Sequence, residues 1–377
     1  MVKESTSIFS KTARLALTLG ALLLAIGVIV SCGKKSQCAR GKNIFSESDL
    51  VALYERDGYD EVFIVNSKGE EVAHYVLVEK DDTVSYGLPE DAVEIRVPVD
   101  NMIIDSEVYA SAIAELGALE NISGMFDAAY VSAPTVKKRI EEGKIKSVGQ
   151  PSAPDLEKIY SLHPEVMLIS YFDGMQTQHI DKLEIPIIKM YDLQESTPLA
   201  RAEWLRFIGR LIGKSDEADE VYAEVAEKYS TMRQDNGENK EGQKVLTDTM
   251  YEGVWYVPAP GSYQATLLKD AGARYFKAEG QEGVTLNLTP EQVLVEGGDA
   301  DIWIIRHYGD REELKAILSS DPVYKEIKAY GEGNVYFSDT SKSNIYGEFP
   351  FHPERLLEDY RKILAGDSVG LRYFEKL

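Results

Sequence analysis

The residues that could do chemistry in this chain exclude more than they support. GRLIGKS (209–215) approaches a phosphate-binding loop, in which backbone N–H groups between two glycines wrap a phosphate and a lysine pairs with it. Here the first glycine stands one residue too close, and the segment lies between helical patterns rather than after a strand. The five histidines, His74, His163, His179, His307 and His352, are scattered, and no G-x-S-x-G, H-E-x-x-H or C-x-x-C occurs. A site for bare zinc or manganese would need donors converging from distant loops. The expectation is therefore no resident metal, no cofactor and no enzyme. The alternatives are a metal-ion site or a catalytic triad assembled from distant positions.

Aromatic residues carry the stronger signal. Tyr171-Phe172, Tyr191, Tyr251, Trp255-Tyr256, His307-Tyr308 and Tyr346 fall at expected strand ends. Ser106, Tyr109, Phe126, Ser262 and Tyr263 open the helices or loops that follow. Loops at the carboxyl ends of parallel strands form ligand crevices, and rings there suit a large, flat or apolar ligand. The candidates for a cleft are Tyr109, Tyr171, Phe172, Tyr251, Trp255, Tyr256, Tyr263, Arg306, His307 and Tyr346. Arg306 would suit an anionic ligand. Any one of the tyrosines could instead simply cover an apolar edge.

Elements that would position these residues follow from hydrophobic periodicity. DEVFIVNSKGEEVAHYVLVE reads as a β-hairpin turning at Lys68-Gly69. EIRVPVDNMIIDS, NISGMF, EVMLIS and IPIIKMYDL read as strands interleaved with helices EVYASAIAELGA and PDLEKIYSLHP. Residues 198–233 are helical apart from a break at Gly213-Lys214-Ser215, where Ser215 can cap the second stretch. The pattern then recurs: KVLTDTMY, SYQATLLKDAGA, PEQVLVE, DIWII, NVYFSD and a closing helix PERLLEDYRKILAG.

PDLEKIYSLHPEVMLIS (154–170) and PEQVLVEGGDADIWII (290–305) match in layout, each a proline-led, Glu-bearing helix, an acid and an apolar strand. Their spacings differ: Gly117 precedes Glu157 by 40 positions and Gly272 precedes Glu291 by 19. The fold class expected is α/β: two Rossmann-like lobes with mostly parallel sheets, joined by one long helical linker and preceded by a β-hairpin. Glu157 and Glu291 occupy first turns, where a carboxylate stabilises the helix by about 0.3–1 kcal/mol.

The chain has 377 residues, 44% hydrophobic and 28% charged, enough for two lobes with full cores. Lys3, Lys11 and Arg14 precede the apolar run 15–30, and Ser31-Cys32 follows it, in the manner of a secretory signal. The expected divisions are a signal peptide at 1–31, a tether and lead-in at 32–59, an N-terminal lobe at 60–195, an interlobe helix at 196–234 and a C-terminal lobe at 243–377. Residues 233–243 read as a polar linker. Cys38 is the second of two cysteines and reads as an incidental tether residue. The formal net charge of −22 disfavours nucleic acid and anionic lipid and suits docking onto a basic partner.

Ile29-Val30-Ser31-Cys32 resembles a bacterial lipobox, which implies lipidation of Cys32 and a membrane anchor. From Glu94 onward, and most specifically in PDLEKI…HPEVMLIS, the chain resembles the helical-backbone class of ABC-importer substrate-binding proteins. PLARAEW (198–204) and FPFHPERLLEDYRKIL are similar to the branch common in Bacteroidetes-type bacteria. The resemblance implies binding of a ferric siderophore, haem or cobalamin; the basic residues GKKSQ after Cys32 point to the periplasmic side, and a monomer is expected. The resemblance also implies delivery to a permease dimer with its ATPase, with Glu157 and Glu291 docking onto permease arginines. For haem, His307, Tyr308 or Tyr251 would be the axial ligand.

Overall fold

The computed structural model describes residues 41–82, 87–175, 179–233, 242–277 and 283–377. The expected signal at 1–31, Cys32, Cys38 and most of the linker 233–243 lie outside them. Among the described residues no helix is long and apolar enough to cross a membrane.

Each half of the chain builds a five-stranded sheet; apart from Lys146–Ser147 at the edge of the N-terminal one and the antiparallel Glu375–Lys376 at the edge of the C-terminal one, its four remaining strands are parallel and stand in the same spatial order: second, first, third, fourth. In the N-terminal lobe these are Met102–Ile104, Ile122–Met125, Val166–Ser170 and Ile187–Met190. In the C-terminal lobe they are Lys244–Thr247, Arg274–Tyr275, Ile302–His307 and Val335–Asp339. The runs VMLI and IWII are buried throughout, as strands covered by helices on both faces must be. The third strands even begin alike: the Glu165 N–H donates to Asn101 O at 2.8 Å, and the Asp301 N–H to Lys244 O at 2.8 Å. The unequal spacing also has a cause. Between its second strand and the Glu157 helix, the N-terminal lobe inserts helix Pro134–Glu141 and a small hairpin at 149–154.

Three expectations need correction. EIRVPVDNMIIDS is two strands. Val93–Val97 joins the preceding hairpin and Met102–Ile104 enters the lobe, because Pro98 offers no N–H to a ladder. The hairpin is thus part of a four-stranded sheet, Val51–Glu55, Asp60–Val65, Glu71–Glu79 and Val93–Val97. KVLTDTMY likewise ends its lobe strand at Thr247, and Met250–Tyr251 pairs antiparallel with Val254–Pro258. The lead-in is not a tether from Asn43 onward: Phe45, Leu50, Val51 and Leu53 are buried in the N-terminal core. The buried Glu203 carboxylate accepts the N–H groups of Ser46, Glu47 and Ser48, each at 2.8 Å.

The interlobe segment is two helices, Pro198–Leu211 and Ser215–Met232. Ser215 is the first helical residue, and the cap position is Lys214, which makes no side-chain cap. The glycines of GRLIGKS serve packing. A Cβ on Gly209 would stand 2.4 Å from Ala218 Cβ, and Gly213 turns the chain at φ +69. Trp204, Leu205, Phe207 and Ile208 belong to the N-terminal core, while Leu199 and Tyr229 belong to the C-terminal one. The pair of helices therefore grips both lobes.

Candidate ligand cleft

A cavity of about 650 Å³ opens where the first and third strands of the C-terminal lobe end. This is the point at which strand order reverses, the usual ligand crevice of such sheets. Tyr251, Tyr256, Arg306, His307 and Tyr346 of the expected set line it, with Tyr308 beside them. Tyr251 is 68% exposed at the tip of a two-residue turn, Glu252-Gly253, in which both residues have positive φ. Tyr130 projects from the N-terminal lobe and meets Tyr308 edge to face, ring centroids 6.3 Å apart. Glu107 steadies the Tyr130 loop by accepting the Ser132 N–H at 2.7 Å.

Five of the expected residues do not line this cavity. Trp255 is fully buried: adjacent strand residues point to opposite faces, so when Tyr256 faces the cavity Trp255 must face the core, where its indole donates to Thr247 O at 3.0 Å. Tyr109 and Tyr263 are also buried, because their hydroxyls are claimed beneath the cleft. Tyr109 donates to Asp192 at 2.7 Å, Asp192 pairs with Arg201 at 3.0 Å, and Arg201 donates to the Tyr263 hydroxyl while lying over its ring. These two tyrosines pin the lobes to the first interlobe helix. Tyr171 packs on Tyr191 with centroids 5.7 Å apart, beneath Lys189 Nζ. Phe172 is exposed on the N-terminal lobe outside the cavity lining. Ser106 and Ser262 prove to be helix N-caps, and Tyr191 and Phe126 are core residues.

Electrostatics alter the expected role of Arg306. One edge of its guanidinium donates bidentately to Asp248, from Nε at 2.9 Å and Nη2 at 2.6 Å, and its third nitrogen donates to Gln264. Burial disfavours its charge, but the Asp248 carboxylate more than offsets this and raises its pKa further. Its charge is thus matched within the wall, and an anionic ligand would meet a neutral pair. His307 Nε2 is buried without a hydrogen-bond partner, packed close to Gly309, so of the three axial candidates only Tyr251 and Tyr308 present open oxygens. Sequence reasoning missed Tyr130 and Asp248. The first ends the single 3-10 turn Ala128–Tyr130 beyond the second strand, further past the strand end than a strand-end pattern reaches. The second follows directly on the first strand of its lobe, as Asp105 does in the other.

The family described as periplasmic binding protein matches residues 106–341, from the first lobe helix through the fourth strand of the second lobe. The chain is a periplasmic binding protein. This binding protein is 24% identical over 304 residues to an uncharacterized lipoprotein of Methanocaldococcus jannaschii, covering 76% of this chain and 71% of that one. It shares its fold with the triscatecholate siderophore binding protein of Bacillus subtilis, solved with ferri-bacillibactin (TM-score 0.56, 19% identity, 73% of this chain and 95% of that one). It shares it also with a periplasmic heme binding protein of Vibrio cholerae (TM-score 0.53, 16% identity, 70% and 97%). Proteins of this class bind small ligands and work with an ABC permease and its ATPase.

The two glutamates singled out by layout are both exposed in the binding protein. Glu157 lies in the first turn of helix Leu156–Leu162 and Glu291 in that of Pro290–Gly297. Each helix precedes the third strand of its lobe and runs against it, so both carboxylates rim the edge at which the strands end. Glu291 is held below the usual carboxylate range by its own backbone N–H and by Thr289.

Proposed function

We propose that this chain is the exported, lipid-anchored substrate-binding subunit of an ABC importer, and that it carries a ferric chelate of siderophore type in the interlobe cleft, unchanged, to a permease dimer. The observation that carries the reading is the cavity itself. Its volume of about 650 Å³ and its walls of Tyr251, Tyr256, Tyr308 and Tyr346 fit a bulky chelate. Asp248 is the one carboxylate in that lining and is committed to Arg306, so the wall suits a metal already wrapped by its chelator rather than a bare ion. The siderophore complex of the Bacillus subtilis neighbour supports the same class.

Haem is the second reading, favoured by the exposed Tyr308 hydroxyl at the mouth, a group able to ligate haem iron. Titration of the purified protein with ferric siderophores, haem and cobalamin, followed by tryptophan fluorescence, separates them. Trp255 and Trp303 lie in the core of the lobe that carries the cavity and serve as reporters. Saturable quenching by a siderophore complex alone is expected; quenching by haem alone moves the cargo, and no response to any of them defeats the reading.

Permease docking by Glu157 and Glu291 belongs to the same proposal. Both rim the ligand-bearing edge, one on each lobe, so two matching lobes can meet two matching permease subunits. Exposed ion pairs of this kind set register and encounter rate more than affinity. Reversing both, Glu157→Lys with Glu291→Lys, should abolish uptake and leave chelate affinity unchanged. Uptake at the wild-type rate would remove the docking assignment.

A further inference from the structure

We infer a divalent-cation site in the N-terminal four-stranded sheet, remote from the cleft, with Glu71, His74 and Asp91 as ligands. One donor atom from each lies within 4.8 Å of the other two. Glu71 and His74 are three apart on one strand and would ordinarily face opposite sides of the sheet. A register shift opposite Ile64 and Val65 adds one residue to this strand, so Glu71 and His74 come to share a face. Asp91 arrives from the segment leading into Val93–Val97, the neighbouring parallel strand.

His74 turns this acidic pair into a site. Its side chain is only 8% exposed and lies flat on Phe63, centroids 4.3 Å apart. Nε2 meets Glu61 Oε1 at 3.1 Å, while Arg56 Nε donates to the other oxygen of Glu61 at 2.8 Å. Glu61 is therefore an acceptor, and the ring hydrogen belongs on Nε2. That leaves the Nδ1 lone pair buried and without a hydrogen-bond partner, with Asp91 Oδ2 at 3.4 Å. A buried lone pair this close to the Asp91 carboxylate is repulsive unless a proton or a metal cation stands between them, and the Glu71 carboxylate within 4.8 Å supplies the further donor a metal would need. A carboxylate on the far nitrogen of a histidine is also the usual device for orienting a metal ligand.

One imidazole and two carboxylates suit zinc or a similar first-row ion, with water completing the shell. Donors around a tetrahedral zinc stand about 3.3 Å apart. Rotation of the exposed Asp91 side chain would close the set in without disturbing the buried ring.

The test is calorimetric titration of the full chain with Zn²⁺ alone, compared with Asp91→Asn and with Glu71→Gln. Both substitutions alter exposed side chains and leave the core in place. One equivalent of zinc should bind to the wild type, with affinity reduced about 100-fold or more in either variant. Glu61→Gln, a positioning change, should weaken it about 10- to 100-fold. Zinc should also raise the wild-type melting temperature and not that of Asp91→Asn. Absence of zinc binding overturns the inference. So does binding that persists in both variants, which would place the ion elsewhere, for example in the cleft. Chelate titration of Asp91→Asn should match the wild type, so the cargo assignment stands or falls separately.

Discussion

The two lobes place different chemistry at the same point of the same topology. Where the first and third strands end, the C-terminal lobe has Asp248 and Arg306, and the N-terminal lobe has Asp105 and Ser170. The ladders match: Thr247 pairs with Ile304 and Ile104 with Leu168, so Arg306 and Ser170 are equivalent. In the C-terminal lobe the carboxylate meets a guanidinium and the crevice is open. In the N-terminal lobe the carboxylate accepts the Ser170 N–H at 2.9 Å and forms no ion pair among the described residues, and buried Tyr109 fills the space. Burial pushes Asp105 up to about 7. The duplication thus yields one lobe that receives a ligand and one whose crevice is sealed into the interlobe joint. The N-terminal lobe contributes Tyr130 from a loop instead.

Breaking the charged pair tests the contrast most severely. Arg306→Ala leaves the part-buried Asp248 unpaired at the cavity wall, which should cost about 3 kcal/mol, the low end for a buried pair because water in the cavity reaches the carboxylate. Ser170→Ala at the equivalent position should cost about 1 kcal/mol, as for an ordinary hydrogen bond. Urea unfolding of both variants measures the difference, and equal costs would erase the distinction between the crevices.

Asp105 gives a pH signature of the sealed lobe. Its carboxyl titrates near 7 when folded against an ordinary value of 3.8, so the folded chain keeps a proton that the unfolded chain releases. The stability it contributes is complete below about pH 4 and is lost as pH rises through 7. Glu195, also pushed up to about 7 by burial, acts in a similar window. Asp105→Asn keeps the acceptor oxygen and removes the titration. It should therefore match the wild type at pH 4 and exceed it at pH 8 by roughly 2–4 kcal/mol. Melting curves at the two pH values check this, and parallel curves would show that Asp105 is ionised at no cost.

The smallest expected effect lies at the mouth. Tyr308→Ala or Tyr130→Ala should weaken chelate binding about tenfold, a loss of about 1.4 kcal/mol, and leave melting unchanged because both rings are exposed. Weakening by Tyr308→Ala alone would mean that the N-terminal lobe takes no part in holding the ligand.

Hydrophobic periodicity made the lobes legible in the sequence. Short apolar runs such as VMLI and IWII, following helix stops and rich in branched residues, read as strands buried on both faces, and the Glu-bearing helices before them recur in order. The cleft was half legible. The expected ends of strands bring Tyr251, Arg306 and His307 to the cavity, whereas Tyr256 reaches it from mid-strand and Tyr346 from the short helix Ile345–Glu348. Which face of a strand or helix each residue takes was not legible, and so Trp255, Tyr109 and Tyr263 were placed in the cleft.

The sequence by itself determined the two-lobed parallel α/β scaffold, its duplication and the first-turn positions of Glu157 and Glu291, because these depend on local period and order. Only the tertiary structure decided that Arg306 is neutralised by Asp248, that Asp192 and Arg201 hold Tyr109 and Tyr263 under the cleft, and that a shifted ladder brings His74 round to Glu71 and Asp91. Each of these depends on which side chains meet across the sheet or between the lobes. Such meetings are fixed by packing between residues far apart in the chain, which local pattern does not encode.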